Sequence, residues 1–265
     1  FLFRKTGAKA LIGWAIGVYA FQLVIVFALA GTIWMGSVAD PEGMAQGFAE
    51  MGEMDGRALA AFGSGGFLEA SAFRIESYAS GIVFVLLFQG PGAFAFFLFG
   101  LAAVKSRAIA DPAARIWRRA RRVALPVGLA VSSVGAWLLV SASDLSDPAM
   151  TLGLALITLA SPFATFGYLG LIAKWAEGQG GPVRTFFARG GTASLTAYLL
   201  QGLLFSLIFS AYGLGFFAEL PAAVCVGVAL GVALVTIAFA SLWRLRFRQG
   251  PAEFVLRSWT YLGAR

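Results

Sequence analysis

The chain has 265 residues, of which 59% are apolar and only 12% carry a charge, and it contains no histidine. Soluble domains carry about twice that share of charged residues, so a water-soluble globular domain and a disordered segment are both excluded. A single cysteine excludes a disulfide scaffold, and the lack of histidine excludes Ser-His or Cys-His catalysis and His-ligated metal within these residues. The composition predicts an integral membrane protein.

Six apolar stretches are long enough, or nearly so, to cross a bilayer as helices, which takes about 20 residues. They lie at 10–34, 78–104, 123–140, 149–173, 190–212 and 221–243, and none contains a charged side chain. We therefore predict an all-α integral membrane protein, a bundle of six transmembrane helices in one transmembrane domain over 1–265. Within the second stretch, Gln89-Gly90-Pro91-Gly92 predicts a kink or two half-helices, because proline removes a backbone donor.

The distribution of charge predicts the orientation, since Lys and Arg gather in short cytoplasmic segments. With the N-terminal segment in the cytoplasm, segments 1–9, 105–122, 174–189 and 244–265 hold eighteen of the twenty basic residues. Only Arg57 and Arg74 fall on the outer side, together with ten of the thirteen acidic residues. We expect a multi-pass protein with both ends of this chain in the cytoplasm.

The same distribution indicates the partners. The basic residues border the membrane in four separate segments, which favours membrane lipids, through anionic headgroups on the cytoplasmic side, over nucleic acid. A functional basic patch at 115–122 is the alternative for one segment. We expect no nucleic-acid partner, no cofactor and no metal.

The longest connection is the outer-side loop 35–77. Within it, Met44, Phe48, Met51 and Met54 follow one another at steps of four, three and three, which predicts an apolar stripe on a short helix. A methionine site for Cu(I) is the alternative, and it is disfavoured because only three thioethers are present without a nearby Cys or His. The glycine-rich segment 63–66 predicts a flexible return to the second span.

Polar side chains in the fifth stretch are the best candidates for a substrate site. Ser194, Tyr198 and Gln201 are spaced by four and three residues and so share one helix face, whereas Thr196 lies on another. This face is interpreted either as the lining of a substrate cavity or as interhelical hydrogen bonding. Weaker candidates of the same kind are Gln22 in the first span and Gln89 at the break in the second.

The segment after the sixth span predicts a short amphipathic helix, 251–262, at the cytoplasmic interface. Pro251 suits the first turn of a helix, and Glu253 precedes Arg257 by four residues, the favourable order for an ion pair. Tyr261 near its end suits headgroup depth. Membrane anchoring is the expected role, with the lining of a cytoplasmic entrance as the alternative.

These stretches resemble the C-terminal domain of the YeiB-like bacterial membrane proteins, known as domain of unknown function 418. The family shows a Gly-x-x-(Ala/Ser)-Leu-Thr-Asn-Tyr-Leu-x-Gln-Ser run, a Tyr-Gly-x-Gly-Leu run and a Phe-Arg-x-Gly-Pro-x-Glu-x-x-x-Arg-x-x-Thr-Tyr run. The matching residues here are Gly191, Ser194, Leu195, Thr196, Tyr198, Leu199 and Gln201; Tyr212, Gly213 and Gly215; and Phe247, Arg248, Gly250, Pro251, Glu253, Arg257, Thr260 and Tyr261. The chain departs from the first run at Ala197, where the family has Asn, and at Gly202, where it has Ser.

The resemblance implies a bacterial inner-membrane location and further N-terminal helices, so we expect this chain to be the C-terminal part of a longer protein. It also implies an activity connected with transport, and a distant similarity to multi-span acyltransferases. Three functions remain open: a carrier or flippase of a small molecule or lipid-linked group, an acyltransferase acting on an extracytoplasmic acceptor, and a non-catalytic subunit. The last would belong to a larger membrane complex or homo-oligomer. Whether the protein is an enzyme stays open.

Overall fold

The computed structural model describes residues 3–143, 146–178 and 180–262, apart from the side chains of Glu50 and Met51. Every regular element in these ranges is helical. The α-helices are α1 (Ala8–Ala39), α2 (Pro41–Leu59), α3 (Phe67–Phe88), α4 (Gly90–Lys105), α5 (Arg115–Arg119), α6 (Leu125–Ser141), α7 (Pro148–Glu177), α8 (Pro182–Gly191), α9 (Ser194–Phe209), α10 (Ala222–Arg246) and α11 (Pro251–Thr260). π-helical turns at Ala60–Ser64 and Ala120–Ala124 follow α2 and join α5 to α6, and a 3₁₀ turn lies at Ala108–Ala110.

Five described helices are long and apolar enough to cross a membrane, or six if the bent pair α8–α9 counts as one span. They are α1, α3, the continuous helical segment Arg115–Ser141, α7 and α10. The all-helical character is therefore confirmed, and the helices include five or six candidate membrane spans by length and composition. The orientation and the number of domains stay predictions.

Two predicted boundaries differ from the structure. The outer-side loop 35–77 is largely helical, because α1 runs on to Ala39 and α2 fills most of the remainder; the helix predicted around Met44 is thus confirmed. The side chain of Met51, part of its expected stripe, lies outside the described residues. The second span was predicted to begin at residue 78, but α3 begins at Phe67. The prediction missed the first turns of α3 because they are less apolar than the later ones.

The break predicted in the second span is confirmed as two helices. α3 ends at Phe88 and α4 begins at Gly90 with Pro91 in its first turn, where the missing donor of proline is tolerated. The buried Gln22 of α1 reaches this break, and its Nε2 donates to the Phe88 carbonyl at 2.7 Å. Gly92 leaves the room for that amide, since a Cβ there would overlap the Gln22 side chain.

The described residues divide into two compact units. The first unit comprises the residues up to Gly52 and those from Tyr78 to Gly178, and the second comprises Glu53–Ser77 and the residues after Gly178. In the first unit, α1 packs against α4 and α7, with a small core of Leu11, Ala15, Leu98 and Ala102.

The tightest packing in the first unit joins α6 to α7 through glycines. A Cβ on Gly135 would lie 2.7 Å from the Gly153 carbonyl oxygen, and a Cβ on Gly153 would lie 2.6 Å from that of Gly135. Gly128 and Gly167 repeat this backbone contact further along the pair. Small residues let membrane helices approach until their backbones touch, which supplies the van der Waals contact that replaces a hydrophobic driving force.

The loop between α6 and α7 is closed by Asp147. Its Oδ1 accepts from the Ala149 N–H at 2.8 Å and caps α7, while Oδ2 accepts from the Ser143 N–H at 2.9 Å. The hydrogen bonds from Ser143 and then Ala149 hold the pKa of Asp147 below its ordinary value. The carboxylate therefore secures both sides of the connection.

We expect Asp147→Ala to lower the free energy of unfolding and the unfolding temperature, because it removes a helix N-cap. Asp147→Asn is the matched control, since Asn caps helices nearly as well. Thermal unfolding of the detergent-solubilised protein measures both variants. An equal loss in the two would show that the charge of Asp147, and not its capping bonds, carries the effect.

In the second unit, α10 packs against α8 and α9, and α11 packs against α9. The predicted fifth span 190–212 contains α9, which follows α8 after a bend of 81°. Gly190 and Gly191 weaken the helix there, and Thr192 turns its hydroxyl back to the Arg189 carbonyl at 2.7 Å. The sixth span and the C-terminal helix are observed as α10 and α11.

Candidate functional site

The bend between α8 and α9 exposes the N-terminal donors of α9, and Glu253 of α11 accepts them. Its Oε1 accepts from the backbone N–H groups of Leu195 at 2.8 Å and Thr196 at 3.2 Å. The Thr196 hydroxyl donates to Oε2 at 2.5 Å. A carboxylate suits this place, because the first N–H groups of a helix have no partner within it and carry partial positive charge.

The contact between α9 and α11, which we call the α9 junction, depends on Gly250 as well. A Cβ on Gly250 would lie 2.5 Å from the Thr196 hydroxyl oxygen, 2.9 Å from the Ala193 Cβ, and closer still to the Glu253 carboxylate. The Thr196 oxygen also accepts from the Ala252 N–H at 3.0 Å. The junction thus consists of Thr196, Glu253, Gly250 and the two backbone segments around them.

The junction favours the charged form of Glu253. Partial burial alone would raise the pKa of Glu253, but the hydrogen bonds from the Thr196 hydroxyl and from backbone N–H groups outweigh it and lower the pKa. The ion pair expected between Glu253 and Arg257 is wrong, since among the described residues no ion pair joins them. The helix terminus, and not the neighbouring guanidinium, is the counterpart of this carboxylate.

A second polar cluster lies at the other end of α9, around Arg74 of α3. The Nη2 of Arg74 donates to the hydroxyl oxygens of Ser206 at 3.0 Å, Ser210 at 3.2 Å and Tyr212 at 3.3 Å. Ser206 and Tyr212 are also hydrogen bonded to each other. One guanidinium therefore gathers three hydroxyl groups from the end of α9 and the turn that follows it.

Aromatic rings border this cluster, whose Arg74 is itself exposed. The guanidinium carbon of Arg74 lies 4.9 Å from the centre of the Phe62 ring and 5.9 Å from that of Tyr212. Arg74, Phe62, Ser206 and Ser210 border a cavity of about 500 Å³, which we call the Arg74 cavity. Its lining is otherwise apolar and includes Phe205, Phe209 and Phe217.

The turn after α9 holds the Tyr212 hydroxyl in this position, and it contains the Tyr-Gly-x-Gly run noted above. Gly213 packs directly on the Leu207 carbonyl, so a Cβ would collide with the backbone. Gly215 has a φ of +74°, which only glycine adopts without strain. The Ala211 N–H donates to the Phe62 carbonyl at 2.7 Å, which fixes the π-helical turn against the end of α9.

The charge of Arg74 has no acidic partner among the described residues, whereas that of Arg57 has one. Arg57 forms an ion pair with Glu76 at 2.6 Å. Arg74 is bonded only to neutral hydroxyls, so its positive charge is held in place without being neutralised. A fixed guanidinium beside aromatic walls is suited to an anion that carries an apolar group.

The residues predicted to line a substrate cavity do not come together. Tyr198 lies at the surface of its unit and is 71% exposed, and Ser194 is exposed at the start of α9. Gln201 donates to the Thr236 hydroxyl of α10 at 3.3 Å, and the buried Thr196 belongs to the α9 junction. Gln89 is exposed just before α4 and belongs to the other unit. Their role in substrate binding stays a prediction.

The residues of the family motif in α11 have different surroundings in the structure. Gly250 and Glu253 belong to the α9 junction, and Pro251 opens the helix. Arg257 and Tyr261 are exposed, and the Thr260 hydroxyl donates to the Leu256 carbonyl at 2.8 Å.

Sequence reasoning missed the Arg74 cavity, although the signal was present. Arg74 is one of only two basic residues on the predicted outer side, and Ser206 and Ser210 are four residues apart, on one side of α9. What the sequence lacked was the contact between them, since 132 residues separate Arg74 from Ser206.

Comparison with known proteins places these motifs in a family. A family model described as "Protein of unknown function (DUF418)" matches residues 103–263. The chain is 27% identical to the uncharacterized protein YxaH of Bacillus subtilis (strain 168) over 271 residues, covering 98% of this chain and 63% of the relative. It is 33% identical to the uncharacterized protein YeiB of Escherichia coli (strain K12) over 107 residues, covering 40% of this chain and 27% of YeiB. No solved structure matches significantly.

Proposed function

This chain belongs to the DUF418 family, and we propose that it is part of an inner-membrane carrier or flippase for a small anionic or lipid-linked molecule. The chain spans about 63% of the length of YxaH, so the proposal concerns the protein that contains it. In this proposal the substrate binds in the Arg74 cavity, on the outer side of the membrane that the charge distribution predicts.

The observation that carries the proposal is the unneutralised charge of Arg74 in an aromatic cavity. Its hydroxyl partners orient the guanidinium but cannot cancel its charge, so a phosphate or carboxylate entering the cavity gains charge-assisted hydrogen bonds. The rings of Phe62, Phe205 and Phe209 offer contact to an apolar group attached to that anion. A carrier needs such a site to select its substrate without altering it.

The acyltransferase alternative draws no comparable support from this cavity. The lining holds a guanidinium and hydroxyls, whereas acyl transfer to an alcohol calls for a general base beside the acceptor. The sequence contains no histidine, the side chain most often used as that base.

A non-catalytic subunit is the second candidate function, and one observation favours it. The polar groups of α9 are partly used within the protein, since Gln201 bonds to Thr236 and Thr196 bonds to Glu253. Hydrogen bonds of this kind within the protein are typical of helices that pack against other helices rather than line a transport path.

Binding of a prenyl phosphate tests the proposal. Farnesyl phosphate should bind the full-length protein in detergent, and the uncharged farnesol should bind far more weakly. We expect Arg74→Gln to weaken farnesyl phosphate binding by about tenfold or more, because hydrogen bonds to charged groups contribute about 1.5–3 kcal/mol. Isothermal titration calorimetry measures the affinity.

Arg57→Gln is the matched control, because it removes an equally basic side chain of the same unit whose charge is already paired with Glu76. It should leave the affinity unchanged. Equal binding of farnesol, or an equal loss in the control, would overturn the binding site. Normal binding with no movement of the phosphate across proteoliposome membranes would overturn the carrier and favour the subunit.

A further inference from the structure

We propose that a groove between the end of α10 and α11 binds the phosphate headgroup of an anionic membrane phospholipid. The groove measures about 740 Å³. Arg248 and Arg257 are its two cationic lining residues, and Trp243, Phe247 and Phe254 are its aromatic ones. We call it the α10–α11 groove, and it does not rest on the carrier function proposed above.

Both guanidiniums of the groove are free to meet an anion. Arg248 and Arg257 are exposed, and among the described residues neither forms an ion pair. The acid nearest to them in sequence, Glu253, is turned away because its carboxylate accepts the N-terminal donors of α9. The α9 junction thereby leaves two positive charges of the groove without an acidic neighbour.

The groove is preorganised, because hydrogen bonds within the protein fix the turn between α10 and α11. The indole Nε1 of Trp243 donates to the Gln249 carbonyl at 3.1 Å, and the Arg244 guanidinium donates to the Phe247 carbonyl at 2.9 Å. The Arg244 Nε also donates to the Thr192 hydroxyl at 2.7 Å. The rings of Trp243 and Phe247 stack with their centres 4.4 Å apart.

The surroundings of the groove favour a lipid over a soluble anion. α10 has the composition of a membrane span, and the groove begins at its last turns. α11 exposes Phe254, Val255 and Trp259, large apolar side chains that water does not stabilise. Aromatic rings beside arginines are typical of headgroup depth, where the rings contact acyl chains and the guanidiniums contact phosphate.

Spin-labelled lipids test the proposal on the full-length protein in phosphatidylcholine membranes. Electron spin resonance separates protein-bound from mobile label, and we expect phosphatidylglycerol to be bound in preference to phosphatidylcholine. Arg248→Gln and Arg257→Gln should each reduce this preference about fivefold, the effect expected of one basic residue near an anionic surface.

Arg246→Gln is the matched control, since Arg246 is an exposed arginine in the last turn of α10 that does not line the groove. It should leave the preference nearly unchanged, and Arg257→Lys should retain most of it. An equal loss in the Arg246 variant would overturn the groove in favour of general surface attraction. Displacement of the labelled lipid by millimolar glycerol phosphate would overturn the lipid in favour of a soluble phosphate.

These outcomes are independent of Arg74. Loss of lipid preference with farnesyl phosphate binding intact would leave the carrier proposal in place, and the reverse result would leave the groove in place. Unchanged elution of each variant in size-exclusion chromatography confirms that it is folded. A lipid preference that survives both substitutions in folded protein overturns the groove.

Discussion

Gly135→Val is expected to prevent α6 and α7 from packing and to abolish recovery of folded protein. A Cβ at this position meets the Gly153 carbonyl oxygen at 2.7 Å and the Ile157 Cγ1 at 2.8 Å, and the carbonyl belongs to backbone that cannot rotate away. Relief requires the two helices to separate along their length, which also opens the contacts at Gly128 and Gly167. Overpacking costs about 1–3 kcal/mol or more, so even Gly135→Ala should cost about 2 kcal/mol.

Gly31→Ala in α1 is the control for that loss, because nothing lies within 4 Å of a Cβ at Gly31. Alanine exceeds glycine in helix propensity by about 1 kcal/mol, so this control should be neutral or slightly stabilising. Fluorescence-detected size-exclusion chromatography measures the yield, and thermal unfolding measures the alanine variants. Equal stability of the two alanine variants would show that α6 and α7 do not touch at this seam.

The helices of this fold follow from composition because the bilayer sets a nearly fixed length for an apolar helix. That constraint predicts α7 and α10 to within a few residues, and Pro91 predicts the break before α4. It does not predict the beginning of α3, since residues 67–77 are helical without being continuously apolar. Hydropathy detects the apolar part of a helix and not its polar extension.

The 81° bend before α9 escaped prediction for a different reason. The predicted apolar stretch begins at Gly190, so it contains α9 but not α8, and hydropathy says nothing of the angle between the two helices. The bend persists because Glu253, 58 residues after Leu195, accepts the donors that the bend leaves unpaired. A rule based on neighbouring residues cannot predict this bend, because the side chain that stabilises it is distant in the sequence.

The role of Glu253 shows how a sound local rule fails. Spacing by four residues predicts an ion pair with Arg257, but an exposed helical pair contributes only about 0.3–0.5 kcal/mol. Three hydrogen bonds to Leu195 and Thr196 are worth more, so the tertiary contact prevails. The family motif includes both Glu253 and Thr196, but only the structure shows that the two bond to each other.

Glu253→Ala is expected to destabilise the second unit by about 3 kcal/mol and to loosen α11 from α9. The substitution leaves the N–H groups of Leu195 and Thr196 and the Thr196 hydroxyl without their acceptor, and hydrogen bonds to a charged group contribute about 1.5–3 kcal/mol. Hydrogen exchange of the first turn of α9, followed by mass spectrometry of the detergent-solubilised protein, measures the loosening directly.

Acid should weaken the same contact. The folded-state pKa of Glu253 lies below its ordinary value of 4.5, so its contribution is complete at higher pH and is lost as the pH falls through the lowered pKa. The protection of the α9 amides, the slowing of their exchange relative to the intrinsic rate at the same pH, should therefore fall in that acidic range in the native protein. This protection should not depend on pH there in Glu253→Gln, whose side chain cannot titrate.

Two further variants separate the α9 junction from its alternatives. Thr196→Val removes one of the three bonds to Glu253, together with the bond from the Ala252 N–H. The double variant should therefore lose less stability than the sum of the two single losses, as expected for residues in direct contact. Arg257→Ala removes the partner that local spacing suggests and should change stability by less than about 0.5 kcal/mol in detergent. If Arg257→Ala were as damaging as Glu253→Ala, or if the Thr196 and Glu253 losses were additive, the carboxylate would not be acting through the N-terminus of α9.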